Sequence, residues 1–264
     1  MPDTGRLSML AATIMLAYTL ARFVDLPERE LAVQLPGLYL SVLINEQTVV
    51  ALVVAGLMAT GADWLVRGHP AYRGHSTLEH WLLPALTAWV IGLPLFQLPN
   101  NPLWWIGFIL GGLLLVLVLI AEYIVVDPDD LRYPPAAAGL TAISFALYLV
   151  LAAALRFSEL RLVMLLPALA LAGGLVGLRA LHLRLRGRWA YLPAGMVALV
   201  TAQLAAALHY WPLSPVSFGL ALLGPAYALT TLLGNLAEGE PVRQAVVEPV
   251  TVLFLVWGAA FWVR

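Results

Sequence analysis

The sequence DWLVRGHPAYRGHSTLEH, residues 63–80, is the longest strongly polar interval between two apolar runs of the chain. It contains three of the five histidines and two arginines, and it has a carboxylate near each end. The runs on either side have about 20 residues each, which is the length that a helix needs to cross a bilayer core of about 30 Å. The interval therefore predicts a connector between two membrane-spanning helices, and with it a polytopic membrane protein.

The composition of the whole chain supports the same class. Of its 264 residues, 62% are hydrophobic and 11% are charged, whereas soluble domains carry about 25% charged residues. Apolar runs occupy nearly the whole length, so we expect a single transmembrane domain over residues 1–264. Cysteine is absent, which excludes disulfides, thiolate nucleophiles and cysteine-ligated metals. A formal net charge of −1 gives no reason to expect nucleic acid as a partner.

The predicted fold class is an all-α polytopic bundle of nine transmembrane helices. Polar or proline-containing connectors separate the apolar runs. Proline inside a helix removes a hydrogen bond, so Pro94 should kink or end the third helix, and Gly224-Pro225 should kink the eighth. The predicted helices cover residues 7–24, 47–66, 78–97, 103–126, 136–155, 162–183, 189–209, 216–236 and 242–263.

One interval lacks a helical period. Residues 31–45, LAVQLPGLYLSVLIN, alternate in the pattern of a strand, and Pro36-Gly37 is a pair that a type II turn favours. This predicts a small β-hairpin at about residues 30–45, lying at the extracytoplasmic surface because an open sheet edge is not stable in lipid. The alternative is a re-entrant or interfacial helix that is kinked at the Pro-Gly pair.

The arginines predict the orientation. Nine of the 14 lie in the N-terminus and the even-numbered connectors, and five lie in the odd-numbered connectors and the C-terminus. Because cytoplasmic loops carry an excess of basic residues, we expect a cytoplasmic N-terminus and an extracytoplasmic C-terminus in the cell (cytoplasmic) membrane.

A candidate polar pocket is formed by seven ionisable side chains within the predicted spans or at their ends. Such residues are costly in a membrane and indicate function by default. In the predicted topology all seven lie at one depth, near the cytoplasmic face, where a histidine beside a carboxylate could transfer protons near neutral pH. They are Asp63, Glu79, His80, Glu122, Arg179, His182 and Glu248.

The alternative interpretation of these residues is structural, because charge costs least at helix ends. Long side chains extend to the interface, and a carboxylate at a helix N-terminus is favoured by the helix dipole. That explains Glu79 and Arg179 well. It explains Asp63 and Glu122 poorly, since both lie near helix C-termini, so these two are the best members of a functional pocket. No catalytic residue is assigned, and no cofactor or metal is expected.

Three functions remain open at this point. The motifs HExxH, GxSxG, the P-loop and the paired aspartates of polytopic prenyltransferases are absent. The leading hypothesis is a non-catalytic structural or accessory membrane component, with the lipid bilayer and other membrane proteins as its partners. The second is a secondary transporter or channel that uses the inner carboxylate and histidine layer. The third is an intramembrane enzyme that acts on a lipid or isoprenoid substrate.

Four segments also carry a resemblance to known sequences: ELAVQLPGLYL (30–40), EHWLLPALTAWVIGLPL (79–95), EYIVVDPDDLRYPP (122–135) and HYWPLSP (209–215). In these segments the chain resembles an uncharacterised family of bacterial multipass membrane proteins of unknown function. The resemblance implies a membrane location and no particular activity. No functional residue can therefore be transferred from it.

Overall fold

The computed structural model describes residues 3–21, 29–35, 38–44, 46–72, 74, 77–97 and 101–263. The chain divides into two compact units, Met1–Asp127 and Pro128–Arg264. The first unit contains α1 (Thr4–Ala21), β1 (Arg29–Leu35), β2 (Leu38–Ile44), α2 (Glu46–Arg67), α3 (Glu79–Gln97) and α4 (Pro102–Ile124). The second contains α5 (Tyr133–Phe157), α6 (Leu162–Arg184), α7 (Tyr191–Leu208), α8 (Pro215–Ala237), α9 (Val242–Ala245) and α10 (Val247–Trp262).

The protein is a helical membrane protein, as predicted. Within the described residues, seven helical segments are long and apolar enough to cross a membrane. A helix satisfies all its backbone hydrogen bonds internally, which is why apolar runs of this length fold as helices in lipid. The seven are Val49–Arg67, Pro102–Ile124, Tyr133–Phe157, Leu162–Arg184, Tyr191–Leu208, Pro215–Ala237 and Val242–Trp262. Helices α1 and α3 are not in this set, so the nine-span topology stays a prediction.

The ninth predicted helix, residues 242–263, is interrupted at Val246, between α9 and α10. The reason is Pro249, which has no N–H to donate to the carbonyl of Ala245 four residues earlier. That carbonyl instead accepts a hydrogen bond from the buried side chain of Asn235, with Nδ2 at 2.9 Å. An amide from α8 thus replaces the missing backbone donor.

Two other prolines do not end the helices in which they lie. Helix α3 continues through Pro94 to Gln97, and α8 continues through Pro225, so neither helix ends at its proline. Helix α5 begins at Tyr133 rather than at residue 136, because prolines occupy its first positions, where a missing N–H costs little.

Strands β1 and β2 pair antiparallel, from Arg29 opposite Ile44 to Leu35 opposite Leu38. They occupy the interval for which the sequence favours a hairpin over a kinked helix. The predicted turn residues, Pro36 and Gly37, lie outside the described residues. The position of these strands relative to the membrane stays a prediction.

The core of the first unit is an apolar cluster contributed by α1 to α4. Ile14, Val54, Met58 and Leu119 are all fully buried in it. Polar atoms inside this core have partners: the Tyr18 hydroxyl donates to the Ala88 carbonyl. Because lipid gives no hydrophobic drive for helix association, close packing and such hydrogen bonds hold the helices together.

The core of the second unit depends on small residues where α6 meets α7. A Cβ on Gly173 would lie 2.8 Å from Thr201 Oγ1, and one on Gly177 would lie 3.3 Å from Val197 Cβ. Glycine therefore allows the two helices to approach closely, as is typical of membrane helix pairs. At one end of the unit, the Tyr133 hydroxyl donates to the Leu183 carbonyl at 2.7 Å, which fixes the start of α5 to the end of α6.

Candidate functional site

Asp63, in the last turns of α2, connects that helix to the start of α3. Its Oδ2 accepts a hydrogen bond from Arg67 Nε at 2.7 Å. Its Oδ1 accepts one from the Thr77 hydroxyl and one from Trp81 Nε1 at 3.3 Å. The carboxylate is thus charge-paired within its own helix and hydrogen-bonded across the connector of residues 63–80. These three donors offset the cost of a carboxylate at a helix C-terminus.

His80 and Glu122 form a buried pair between the first turn of α3 and the end of α4. His80 Nδ1 lies 2.7 Å from Glu122 Oε2, and the two residues are 7% and 1% exposed. A buried carboxylate without such a partner would cost several kcal/mol.

The remaining groups of the 63–80 connector are less buried. Glu79 is half-buried in the first turn of α3, where the helix dipole favours a carboxylate. The ring of His69 packs edge-on against Tyr123 of α4, with centroids 4.4 Å apart, and its Nδ1 accepts a hydrogen bond from Ala71 N at 3.0 Å. His69 thus fixes the connector onto α4, while His75 lies outside the described residues.

In the second unit, Arg179 and His182 lie one turn apart near the end of α6. They are 2% and 6% exposed, and the His182 ring packs against Trp189 with centroids 4.3 Å apart. The Arg179 side chain is thus covered by protein. An arginine buried in this way is expensive unless other groups meet its charge.

Glu248 differs from Glu122 in its surroundings. It lies in the first turn of α10 and is exposed. Its Oε1 accepts a hydrogen bond from the Tyr227 hydroxyl of α8 at 3.1 Å. The carboxylate therefore has one neutral donor and an open side.

An arginine–glutamate pair lies at the same end of the second unit. Arg184 donates from Nε to Glu238 Oε1 at 2.9 Å and from its terminal NH2 nitrogen to Oε2 at 2.7 Å. This bidentate geometry is the strongest form of an arginine–carboxylate contact. It connects the end of α6 to the end of α8 and neutralises the Arg184 charge locally.

Glu248 and Arg184 both line a groove of about 470 Å³ in the second unit, which we call the Glu248 groove. The first turns of α5 supply one wall, with small side chains at Ala137, Ala138 and Ala142. Arg186, just beyond α6, is a further charged lining residue. Of the seven candidate residues, Glu248 is the one that lines this groove.

Outside the candidate spans, Asp130 and Arg132 form a local pair in the connector before α5. Arg132 donates from Nε at 3.1 Å and from the terminal NH2 nitrogen at 2.7 Å. The side-chain hydrogen bonds from Arg132, followed by its backbone N–H, lower the pKa of Asp130 to about 2.

The seven candidate residues thus fall into two sets. The structure brings His80 and Glu122 into contact and places Asp63 against Trp81, the residue after His80. Arg179, His182 and Glu248 belong to the second unit, so the single layer of seven stays a prediction. Within the described residues, no group of three or more histidine, aspartate or glutamate side chains is placed to hold a metal ion.

Sequence reasoning missed three partners of these residues, Thr77, Trp81 and Tyr227. It also missed the Arg184–Glu238 pair. Trp81 gave a weak signal, because an indole N–H that is partly buried needs an acceptor. Tyr227 and Glu248 are 21 positions apart on different helices, and nothing in the sequence indicates that they meet.

The chain belongs to the family described as "Protein of unknown function (DUF5656)", whose model matches residues 26–263. The predicted resemblance to a membrane protein family of unknown function is thereby confirmed. The comparison with curated proteins and the comparison with solved structures each gave no match.

Proposed function

We propose that the protein is a non-catalytic integral component of the cytoplasmic membrane that acts through its helical bundle, as a structural or accessory protein. The observation that carries this proposal is the His80–Glu122 pair, whose 2.7 Å contact is buried inside the first unit. An acid–base or transport group must meet its substrate or ion. A carboxylate that is covered by protein and hydrogen-bonded to a histidine is placed instead to stabilise the contact between α3 and α4.

The test replaces the pair by apolar residues of similar size, His80→Leu with Glu122→Met. Replacing a buried ion pair in this way is often neutral or stabilising. A strain in which the double variant is the only copy of the protein should contain wild-type amounts of it in its membranes. In every assay in which a deletion strain differs from the wild type, this strain should behave as the wild type. If the variant is present at normal abundance but the strain behaves as the deletion, the polar chemistry is functional and the proposal is wrong.

The second candidate is a transporter or channel, and Glu248 is the observation that favours it. This carboxylate lies in a candidate span and lines an open groove, as a cation-binding residue of a transporter would. Cation flux into proteoliposomes should then depend on Glu248 and be lost in Glu248→Gln. The absence of any flux above that of protein-free liposomes supports the accessory role.

We further propose nine spans, with the N-terminus in the cytoplasm and the strand pair β1–β2 outside. The arginine distribution supports this orientation. The chain has no cysteine, so single cysteines can be labelled cleanly with a membrane-impermeant maleimide. Pro70→Cys and Arg188→Cys should both be protected in intact cells, and Ser158→Cys should be labelled.

This labelling also decides whether α3 crosses the membrane. Between Pro70 and Arg188 the nine-span topology has four crossings, so both cysteines lie on one side. Without a crossing by α3 there are three, and the two cysteines would be labelled from opposite sides. Opposite labelling would therefore rule out the nine-span topology.

A further inference from the structure

The Glu248 groove contains charges of both signs at one end of the second unit. Arg186 is exposed just beyond α6, and Glu248 is exposed at the start of α10. Arg184, the other cation in the lining, is already bound in a two-pronged contact to Glu238. The groove thus presents one cation and one carboxylate to any occupant.

Neither charge is bound in a close ion pair with a described residue, and Glu248 is attracted by Arg184 only at longer range. Glu248 accepts a hydrogen bond from the neutral Tyr227 hydroxyl. Arg186 makes no ion pair with any residue that the structure describes. Charged groups at the ends of membrane spans are stabilised by water or by ligands of opposite charge. A ligand with an ammonium for Glu248 and a phosphate for Arg186 would neutralise both.

The groove also has a wall that suits a lipid. Ala137, Ala138 and Ala142 of α5 leave room beside the Phe145 ring. The segment that carries Glu248, Val242–Trp262, has 17% of its spanning window buried inside the protein, so most of this segment is not covered by other helices of the second unit. An amphiphile in the membrane could therefore enter the groove laterally, with its headgroup at the charged end.

We propose that the Glu248 groove binds a zwitterionic phospholipid whose headgroup is a primary amine, of the phosphoethanolamine type. The ammonium donates to the Glu248 carboxylate, the phosphate accepts from the Arg186 guanidinium, and the acyl chains lie against the alanine wall of α5. A primary ammonium has three N–H donors. A quaternary choline ammonium has none and is recognised by aromatic cages rather than by carboxylates.

Native mass spectrometry of the full chain in detergent tests this, with phosphatidylethanolamine, phosphatidylcholine and phosphatidylglycerol added one at a time. We expect phosphatidylethanolamine to bind about tenfold more tightly than phosphatidylcholine, the difference that one charge-assisted hydrogen bond supplies. Soluble phosphoethanolamine should compete weakly, because it lacks the acyl chains. Equal binding of all three lipids, or binding of the soluble headgroup as tight as that of the lipid, would overturn the proposal.

Two variants test which charged residue binds which part of the lipid headgroup. Glu248→Gln should lower binding of phosphatidylethanolamine about tenfold and leave phosphatidylglycerol unchanged. Arg186→Gln should weaken the binding of both lipids. Glu240→Gln and Arg188→Gln are matched controls, since both are exposed and neither lines the groove. If the controls lower binding as much as the groove variants, the attraction is a general surface effect and the site is wrong.

Discussion

Glu122 in the first unit and Glu248 in the second are both carboxylates in candidate membrane spans, and the protein accommodates them in opposite ways. Glu122 is 1% exposed and meets the His80 ring at 2.7 Å. Glu248 is exposed, accepts a hydrogen bond from Tyr227 and borders a groove. The difference indicates that ionisable residues in a membrane protein cannot be assigned one role by depth alone. The hydrogen-bond partners and exposure of each carboxylate distinguish a residue placed to stabilise the helical bundle from one that a ligand can reach.

The largest loss of stability is expected when one partner of the buried His80–Glu122 pair is replaced. His80→Leu leaves Glu122 buried without its histidine, and removing one partner of such a pair costs about 3–5 kcal/mol. The apparent free energy of unfolding, measured by denaturant titration in mixed micelles, should fall by that amount.

Two comparisons sharpen this prediction. The double variant His80→Leu/Glu122→Met should recover most of the loss, because it leaves neither partner of the pair buried alone. Glu248→Gln in the second unit should change stability by less than about 0.5 kcal/mol, as surface substitutions usually do. If His80→Leu and Glu248→Gln lower the free energy of unfolding by similar amounts, the proposed difference between the two carboxylates is wrong.

A smaller effect is expected at Asp63. Asp63→Ala removes the acceptor of Arg67, Thr77 and Trp81, and hydrogen bonds to a charged group contribute about 1.5–3 kcal/mol. Because the Asp63 side chain is 19% exposed, water compensates in part, and we expect a loss of about 1–2 kcal/mol in the same titration.

The control for Asp63 is Arg67→Gln, which removes the exposed partner and keeps the contacts to Thr77 and Trp81. Exposed ion pairs contribute about 0.2–1 kcal/mol, so this variant should be the milder one. If Arg67→Gln lowers the free energy of unfolding as much as Asp63→Ala does, the contacts of Asp63 with Thr77 and Trp81 contribute nothing to stability.

The smallest effect concerns Asp130, outside the spans. Its folded pKa of about 2 lies below the ordinary value of 3.8, so its pairing with Arg132 stabilises the folded protein above pH 4. That contribution is lost as the pH falls from about 4 through about 2, because the unfolded chain takes up the proton first. Carboxyl NMR titration in micelles should show the low pKa, and Arg132→Gln should return it towards 3.8. An unchanged pKa in Arg132→Gln would contradict this assignment.

The helices were predictable because each needs only a local property, an apolar run long enough to span lipid. The interruption at Val246 was not. It depends on Asn235, a residue of another helix, taking the place of the backbone donor that Pro249 lacks. Any proline inside a helix lacks the N–H of one backbone hydrogen bond, but the sequence cannot show that a side chain of another helix replaces that bond.

The candidate site shows the same limit. The sequence singled out Glu122 and His80 as ionisable residues that would be costly in a membrane. They are 42 positions apart, so their contact depends on how α3 packs against α4. For Glu248, sequence reasoning found the carboxylate but not the groove, since one wall of the groove consists of small side chains of α5 that are ordinary in an apolar run.

The most direct test of the contrast between the two units is the reactivity of their carboxyl groups with a hydrophobic carbodiimide, mapped by peptide mass spectrometry on the membrane-embedded protein. Such a reagent reaches carboxyl groups that are open to the lipid phase and not those enclosed by protein. We expect modification at Glu248, and none at Glu122 until His80→Leu loosens the buried pair. Modification of Glu122 in the unaltered protein, at a rate equal to that of Glu248, would contradict the account.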